Sequence, residues 1–188
     1  LQSLKAAGSE IIDLTESNPT RCGFLYPEDI FLKPLAAPDN LLYAPDPKGL
    51  PRARQAVAGH YSRSGSEVDP ERLVLTSSTS EAYSLLFRLL FEPGDRVLVP
   101  APSYPLFSYL ARLNDVEVDY YRLAFSPEGS ADGEWRIDLS SLDMGVTSFT
   151  KAVILVSPNN PTGSCLKKEE MAGLRDICLR HGLSIICD

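Results

Sequence analysis

From about residue 70 onward, apolar residues come in short runs, and the stretches between the runs have helical spacing. Arg72-Leu73-Val74-Leu75-Thr76, Arg96-Val97-Leu98-Val99-Pro100, residues 116–122, Lys151-Ala152-Val153-Ile154-Leu155-Val156 and Leu183-Ser184-Ile185-Ile186-Cys187 are short, apolar and rich in β-branched residues. Such runs predict strands that are buried on both faces. Helical patterns lie between them: residues 80–91, closed by Glu92-Pro93-Gly94-Asp95; about 104–113; a short one over 138–144; and 168–181, stopped by Gly182. In the last of these, Met171, Leu174 and Cys178 form one apolar stripe. Residues 126–135 are rich in Gly, Ser and acids and read as a surface loop. Strands alternating with amphipathic helices predict an α/β fold, a three-layer sandwich with a mostly parallel sheet covered on both faces.

The first 70 residues break this rhythm. They hold much proline and one clear helix, over 50–64, preceded by the turn-rich Tyr43-Ala44-Pro45-Asp46-Pro47-Lys48-Gly49. Residues 1–42 read as an N-terminal arm with part of a small domain, and 43–188 as a large domain cut short at its C-terminal end. The chain opens on Leu1 and stops on Asp188, straight after a predicted strand, so both ends look cut.

Composition narrows the function. At 188 residues, 44% hydrophobic and 23% charged, the chain can bury a core. A net charge of -7 argues against non-specific binding of nucleic acid or of anionic membranes. Cys22, Cys165, Cys178 and Cys187 show no C-x-x-C spacing, and His60 and His181 are too few and too separated for a metal site. No leader pattern and no apolar run of transmembrane length is present, so the expected compartment is the reducing cytoplasm.

Polar groups gather where the strands end, the edge at which open α/β sheets bind ligands. After the first predicted strand, Thr76-Ser77-Ser78-Thr79-Ser80-Glu81 offers five hydroxyls at a helix start, where unpaired N–H groups and the dipole favour an anion. One hydroxyl would serve as a simple N-cap. Pro100-Ala101-Pro102-Ser103-Tyr104 brings an aromatic ring on a stiff loop. Ser157-Pro158-Asn159-Asn160-Pro161-Thr162-Gly163 sets two amides on a rigid turn, and Asp188 ends the last strand. An anion cradle, a flat ring, an amide and an acid suit a planar, phosphorylated, nitrogen-containing ring. A dinucleotide is the competing ligand, but neither G-x-G-x-x-G nor the P-loop pattern occurs.

These motifs, with Gly49-Leu50-Pro51…Arg54 and Pro93-Gly94-Asp95-Arg96-Val97, stand in the order found in the class I/II aminotransferases, which the chain resembles from about Ile12 to Asp188. The resemblance implies a pyridoxal-phosphate (PLP) transferase of fold type I, here incomplete. It implies that Ser78, Thr79 and Ser80 hold the PLP phosphate, that Tyr104 stacks on the pyridine ring, and that Asn160 binds its phenolic oxygen. Asp188 would pair with the protonated ring nitrogen. Asp188, Asn160 and Tyr104 are thus the expected catalytic residues. Tyr43 would reach the cofactor phosphate of a second subunit in a homodimer with shared sites. Ser17, in Leu14-Thr15-Glu16-Ser17-Asn18-Pro19, stands where the family has a glycine whose backbone touches the substrate carboxylate; serine tolerates fewer backbone conformations.

The family also needs a lysine that carries the cofactor. None of Lys5, Lys33, Lys48, Lys151, Lys167 and Lys168 falls at a predicted strand's carboxyl end, so the chain reads as part of a longer enzyme that does not transaminate alone. The expected reaction moves an amino group between an amino acid and a 2-oxo acid, in amino-acid metabolism. The alternatives are a PLP-dependent lyase or decarboxylase on the same fold, and a non-catalytic PLP-fold ligand sensor.

Overall fold

The computed structural model describes residues 2–8, 10, 18–127 and 133–188. Ser17 and the middle of the loop expected over 126–135 lie outside the described residues. The chain divides into two units, Leu1–Val74 and Leu75–Asp188.

The first unit carries α1 (Gln2–Ala6), α2 (Glu28–Leu35) and α3 (Pro51–Arg63), with short 3-10 turns at Pro38–Leu41 and Pro70–Arg72. Pro51 opens α3, where its missing N–H costs nothing and its fixed φ suits the first helical turn. Arg54 and Ala58 are the buried residues of α3. The Arg54 guanidinium donates to the carbonyls of Gly49 (3.2 Å) and Pro70 (2.8 Å) and to Glu71 Oε1 (2.9 Å), so one cation ties α3 to the turns at either end of it. Helix α2 buries no residue at all.

The second unit follows as α4 (Thr79–Leu90), β1 (Arg96–Ala101), α5 (Phe107–Arg112), β2 (Glu117–Ser126), β3 (Glu134–Ile137), α6 (Leu139–Gly145), β4 (Thr150–Leu155), α7 (Lys168–His181) and β5 (Ser184–Cys187). The sheet order is β3-β2-β1-β4-β5. All neighbours run parallel except β2 and β3, which pair antiparallel. Side chains alternate across the sheet. Val97, Val99, Ala152, Ile154 and Ile186 pack with Tyr83 and Phe87 of α4 and Phe107 of α5. Leu98, Val153 and Leu155 face Leu142 of α6 and Leu174, Ile177 and Cys178 of α7. A strand buried on both faces needs consecutive apolar residues, and β1 has them over Val97-Leu98-Val99-Pro100 and β4 over Ala152-Val153-Ile154-Leu155. The result is the expected α/β architecture, a mostly parallel sheet between two helical layers.

Two local expectations fail. Leu73-Val74-Leu75-Thr76 is no strand, because an apolar, β-branched run sets a preference but not a partner, and these residues enter no ladder. The loop expected over 126–135 instead begins and ends in paired strand, with Phe125 opposite Trp135. Their rings meet at 5.5 Å, a cross-strand aromatic pair of the kind that stabilises a hairpin. Gly133 permits the approach: a Cβ there would stand 2.3 Å from Phe125 Cζ. The helix expected over 104–113 is shorter, Phe107–Arg112, and α7 spans the expected residues, ending at Gly182 with φ 68°.

The chain leaves β1 toward β2 and β3, then crosses to β4 on the other side of β1. The order therefore reverses between β1 and β4, and the crevice beyond Ala101 and Leu155 is where such a sheet accepts a ligand.

Candidate active site

Helix α4 presents its N-terminus to that crevice. Ser78 is the N-cap, its Oγ accepting from the Glu81 N–H at 3.1 Å. Glu81 reaches back to accept from the Ser77 N–H (2.6 Å) and hydroxyl (2.8 Å), bonds that hold its carboxyl below the usual carboxylate range. Thr76 Oγ1 donates to the Ser78 carbonyl at 3.0 Å. Three of the five hydroxyls thus shape the turn. Among the described residues, the N–H and hydroxyl groups of Thr79 and Ser80 have no protein partner. First-turn N–H groups without partners at a helix start bind anions.

The turn after β4 separates the two neighbouring asparagines. Asn159 is buried, and its Nδ2 donates to the Pro102 carbonyl (3.2 Å) and to Thr162 Oγ1 (2.9 Å). Its backbone N–H donates to Ser164 O (2.8 Å), and its carbonyl accepts from Gly163 N (2.7 Å). Gly163 closes the turn at φ 69°, a conformation that side chains disfavour. Asn159 therefore binds the loop after β1 to the turn after β4. Its Oδ1 is buried with no partner among the described residues. Asn160, one residue on, is exposed and faces the crevice.

Asp188 extends the pairing of β4 with β5. Its N–H donates to Leu155 O and its carbonyl accepts from Ser157 N, both at 2.9 Å. Its Oδ2 accepts from the Tyr83 hydroxyl at 3.1 Å, and among the described residues Oδ1 has no partner. Burial, and then the charge of Asp188, push the Tyr83 phenol far above its ordinary value, so it remains a donor. Tyr104 stands at the rim, 39% exposed, its ring edge-on to Phe107 at 6.0 Å.

Ser78, Thr79, Ser80, Tyr104, Asn160 and Asp188 line one cavity of about 510 Å³, with Tyr83, Leu110, Val156, Ser157 and Pro158 completing the wall. Six of the sequence-derived residues are thus brought together. Tyr43 lies in the first unit, 94% exposed, and Ser17 is outside the described residues. Tyr83 was not expected at the site, and Asn159, one of the two amides expected on the turn, braces the turn and does not line the cavity. Tyr83 reads from the sequence as part of α4's apolar stripe, and its partner is 105 residues away. The bracing role of Asn159 could have been found, since a second amide beside Asn160 needs its own partner.

Among the described residues no group of His, Cys, Asp and Glu could hold a metal ion. No described helix is long and apolar enough to cross a membrane.

A model of the family described as aminotransferase class I and II matches residues 10–188. The glutamate-pyruvate aminotransferase AlaA of Escherichia coli K12 is 30% identical over 186 residues, covering 98% of this chain and 44% of that protein. The alanine aminotransferase of Mycobacterium tuberculosis H37Rv is 29% identical over 187 residues, 98% of this chain and 42% of that one. Among solved structures, an alanine aminotransferase from Pyrococcus furiosus superposes over the whole chain with a TM-score of 0.81 at 29% identity, the chain covering 47% of it. A Thermus thermophilus aspartate aminotransferase mutant gives 0.77 at 28% identity, again over the whole chain and 47% of that structure. The chain thus spans less than half the length of these relatives.

Proposed function

The chain belongs to the class I and II aminotransferases, and on that premise we propose that it supplies the cofactor-holding half of an aminotransferase active site. Members of this family use pyridoxal 5′-phosphate and act on amino acids and 2-oxo acids. One observation supports the reading above the others. Unpaired first-turn N–H groups, an aromatic ring, an amide and a carboxylate from four separate elements line one cavity at the sheet's switch point. That donor set fits the cofactor, with donors for a phosphate dianion at one end and a carboxylate for a pyridinium at the other.

In this reading Thr79 and Ser80 take the phosphate through their N–H and hydroxyl groups. Ser78, whose Oγ already caps α4, contributes its hydroxyl hydrogen. Tyr104 covers a face of the ring. Asn160 donates its amide to the phenolic oxygen and favours the anionic oxygen. Asp188 holds the proton on the ring nitrogen by charge pairing. When bound, the cofactor supplies an electron sink for the carbanion left at the amino acid's α-carbon, and these residues set its orientation and charge.

Residues 43–188 form the cofactor-binding domain in this proposal, and 1–42 the arm with part of the small domain. Tyr43, 94% exposed, would reach a second subunit's cofactor phosphate in a homodimer. The cytoplasm suits Cys165, Cys178 and Cys187, none of which forms a disulfide.

The test is amino transfer by the full-length protein with pyridoxal 5′-phosphate. Alanine and glutamate, named in the relatives, are the first donors to try, with pyruvate and other 2-oxo acids as acceptors. A new amino acid formed in step with donor loss is expected. Release of ammonia, sulfide or carbon dioxide instead would transfer the site to lyase or decarboxylase chemistry. Tight cofactor binding with no turnover would make it a sensor.

A further inference from the structure

Tyr83 sits one turn into α4, 4% exposed, with its ring edge-on to Phe107 at 5.1 Å and tilted on Phe87 at 6.0 Å. Its phenol leaves this apolar cluster only to donate to Asp188 Oδ2. A buried hydroxyl finds a partner as a rule, and packing alone would be served by phenylalanine. The partner here is the carboxylate that the proposed function pairs with the cofactor.

We infer that Tyr83 is a positioning residue for Asp188: its hydroxyl holds Oδ2 against α4, so that Oδ1 alone faces the cavity. Two features of the surroundings make this effective. The Asp188 backbone is fixed on both sides by bonds to Leu155 and Ser157, which leaves the side-chain torsions as its freedom, and the phenol removes that freedom. The Tyr83 ring is itself immobilised by Phe87 and Phe107, so the donor does not follow the carboxylate if it turns away. Because the phenol stays protonated, it keeps a hydrogen to donate to the carboxylate. The helix that offers Thr79 and Ser80 to an anion also carries Tyr83. A single rigid element therefore sets the spacing between the anion-binding end of the cavity and the carboxylate at the other.

The inference rests on the proposed role of Asp188, and the experiment separates the two. Full-length wild type, Tyr83→Phe, Asp188→Asn and the double variant are titrated with pyridoxal 5′-phosphate by absorbance. The ring-nitrogen resonance of 15N-labelled cofactor is recorded for each. Tyr83→Phe keeps the packed ring, and a far-UV spectrum and melting curve verify the fold. Tyr83→Phe is expected to weaken binding about 3- to 10-fold, the effect of one well-placed hydrogen bond. It should also move the nitrogen resonance toward the unprotonated position, and it should add nothing in the Asp188→Asn background. A Tyr83→Phe protein indistinguishable from wild type, beside a weakened Asp188→Asn, overturns the positioning role and leaves the proposed function standing. Effects that simply add in the double variant also overturn it, since Tyr83 would then act without Asp188. If Asp188→Asn changes neither measurement, the proposed role of Asp188 fails, and this inference with it.

Discussion

The two units of this chain are held in order by opposite means. In the second, Val97, Leu98, Leu142, Ala152, Val153, Ile154 and Leu174 are fully buried, and the sheet is covered on both faces by its own helices. In the first, Leu25, Leu41 and Tyr43 are 92%, 88% and 94% exposed, and among the described residues those buried are Arg54 and Ala58. One unit is built on apolar packing and the other on a cation gripping carbonyls. Packing is cooperative and spreads the loss of any contact, whereas a polar grip is local and fails at one residue.

The comparison breaks most easily at its strong side. Phe87→Ala removes a ring that is 1% exposed from the α4 face of the sheet, and it should cost about 3–5 kcal/mol in denaturant unfolding. A loss near zero would mean that the core is not what orders the second unit. Arg54→Ala should cost about 1–3 kcal/mol, since two carbonyls and Glu71 lose their donor. Hydrogen exchange should quicken across residues 44–72 and stay unchanged in β1 and β4; faster exchange in those strands would contradict the local character claimed for the grip.

Asn159 shows that the second unit also uses a polar tie where its loops meet. Asn159→Ala should cost about 1–2 kcal/mol and weaken cofactor binding, as the loop bearing Tyr104 comes free of the turn bearing Asn160. Normal affinity in a destabilised protein would restrict Asn159 to folding.

Acid gives the finest contrast. Glu71 and Glu81 are both held below their ordinary value of 4.5, Glu71 first by its hydrogen bond from Arg54 and Glu81 first by the Ser77 N–H. A carboxyl lowered on folding adds stability that is complete above 4.5 and lost as pH falls through the lowered value. Salt should weaken the Glu71 contribution, which comes from cations, more than that of Glu81, which comes from an N–H. Glu71→Gln and Glu81→Gln, compared in acid unfolding at low and high salt, test this. Equal salt sensitivity would refute it.

What the sequence made legible follows the same division. Strands β1, β4 and β5 and helix α7 announce themselves because each position is dictated by a face of the sheet, and Gly182 marks the stop. Residues 73–76 carry the same kind of pattern but no ladder, since pairing is a property of two segments and the pattern belongs to one. The β2–β3 hairpin was hidden because Glu134-Trp135-Arg136-Ile137 is short and its partner's Phe125 is the other half of the signal. Thr79, Ser80, Tyr104, Asn160 and Asp188 were visible as polar residues at the ends of apolar runs. The Tyr83–Asp188 bond was not, because a tyrosine on an apolar stripe does not say where its hydroxyl goes.

The strand that delivers Asp188 has a consequence for fidelity of assembly. Displaced by one residue, Ser184-Ile185-Ile186-Cys187 would still fill the buried place of Ile186 with an isoleucine, because Ile185 and Ile186 exchange faces while Ser184 enters the half-buried place of Ile185. Such a slip would set Cys187 where Asp188 stands and replace a fixed negative charge with a thiol. Hydrophobicity does not guard against that error. The left-handed stop at Gly182 does, because it fixes where the strand begins, so the placing of the site's carboxylate is decided at the opposite end of β5.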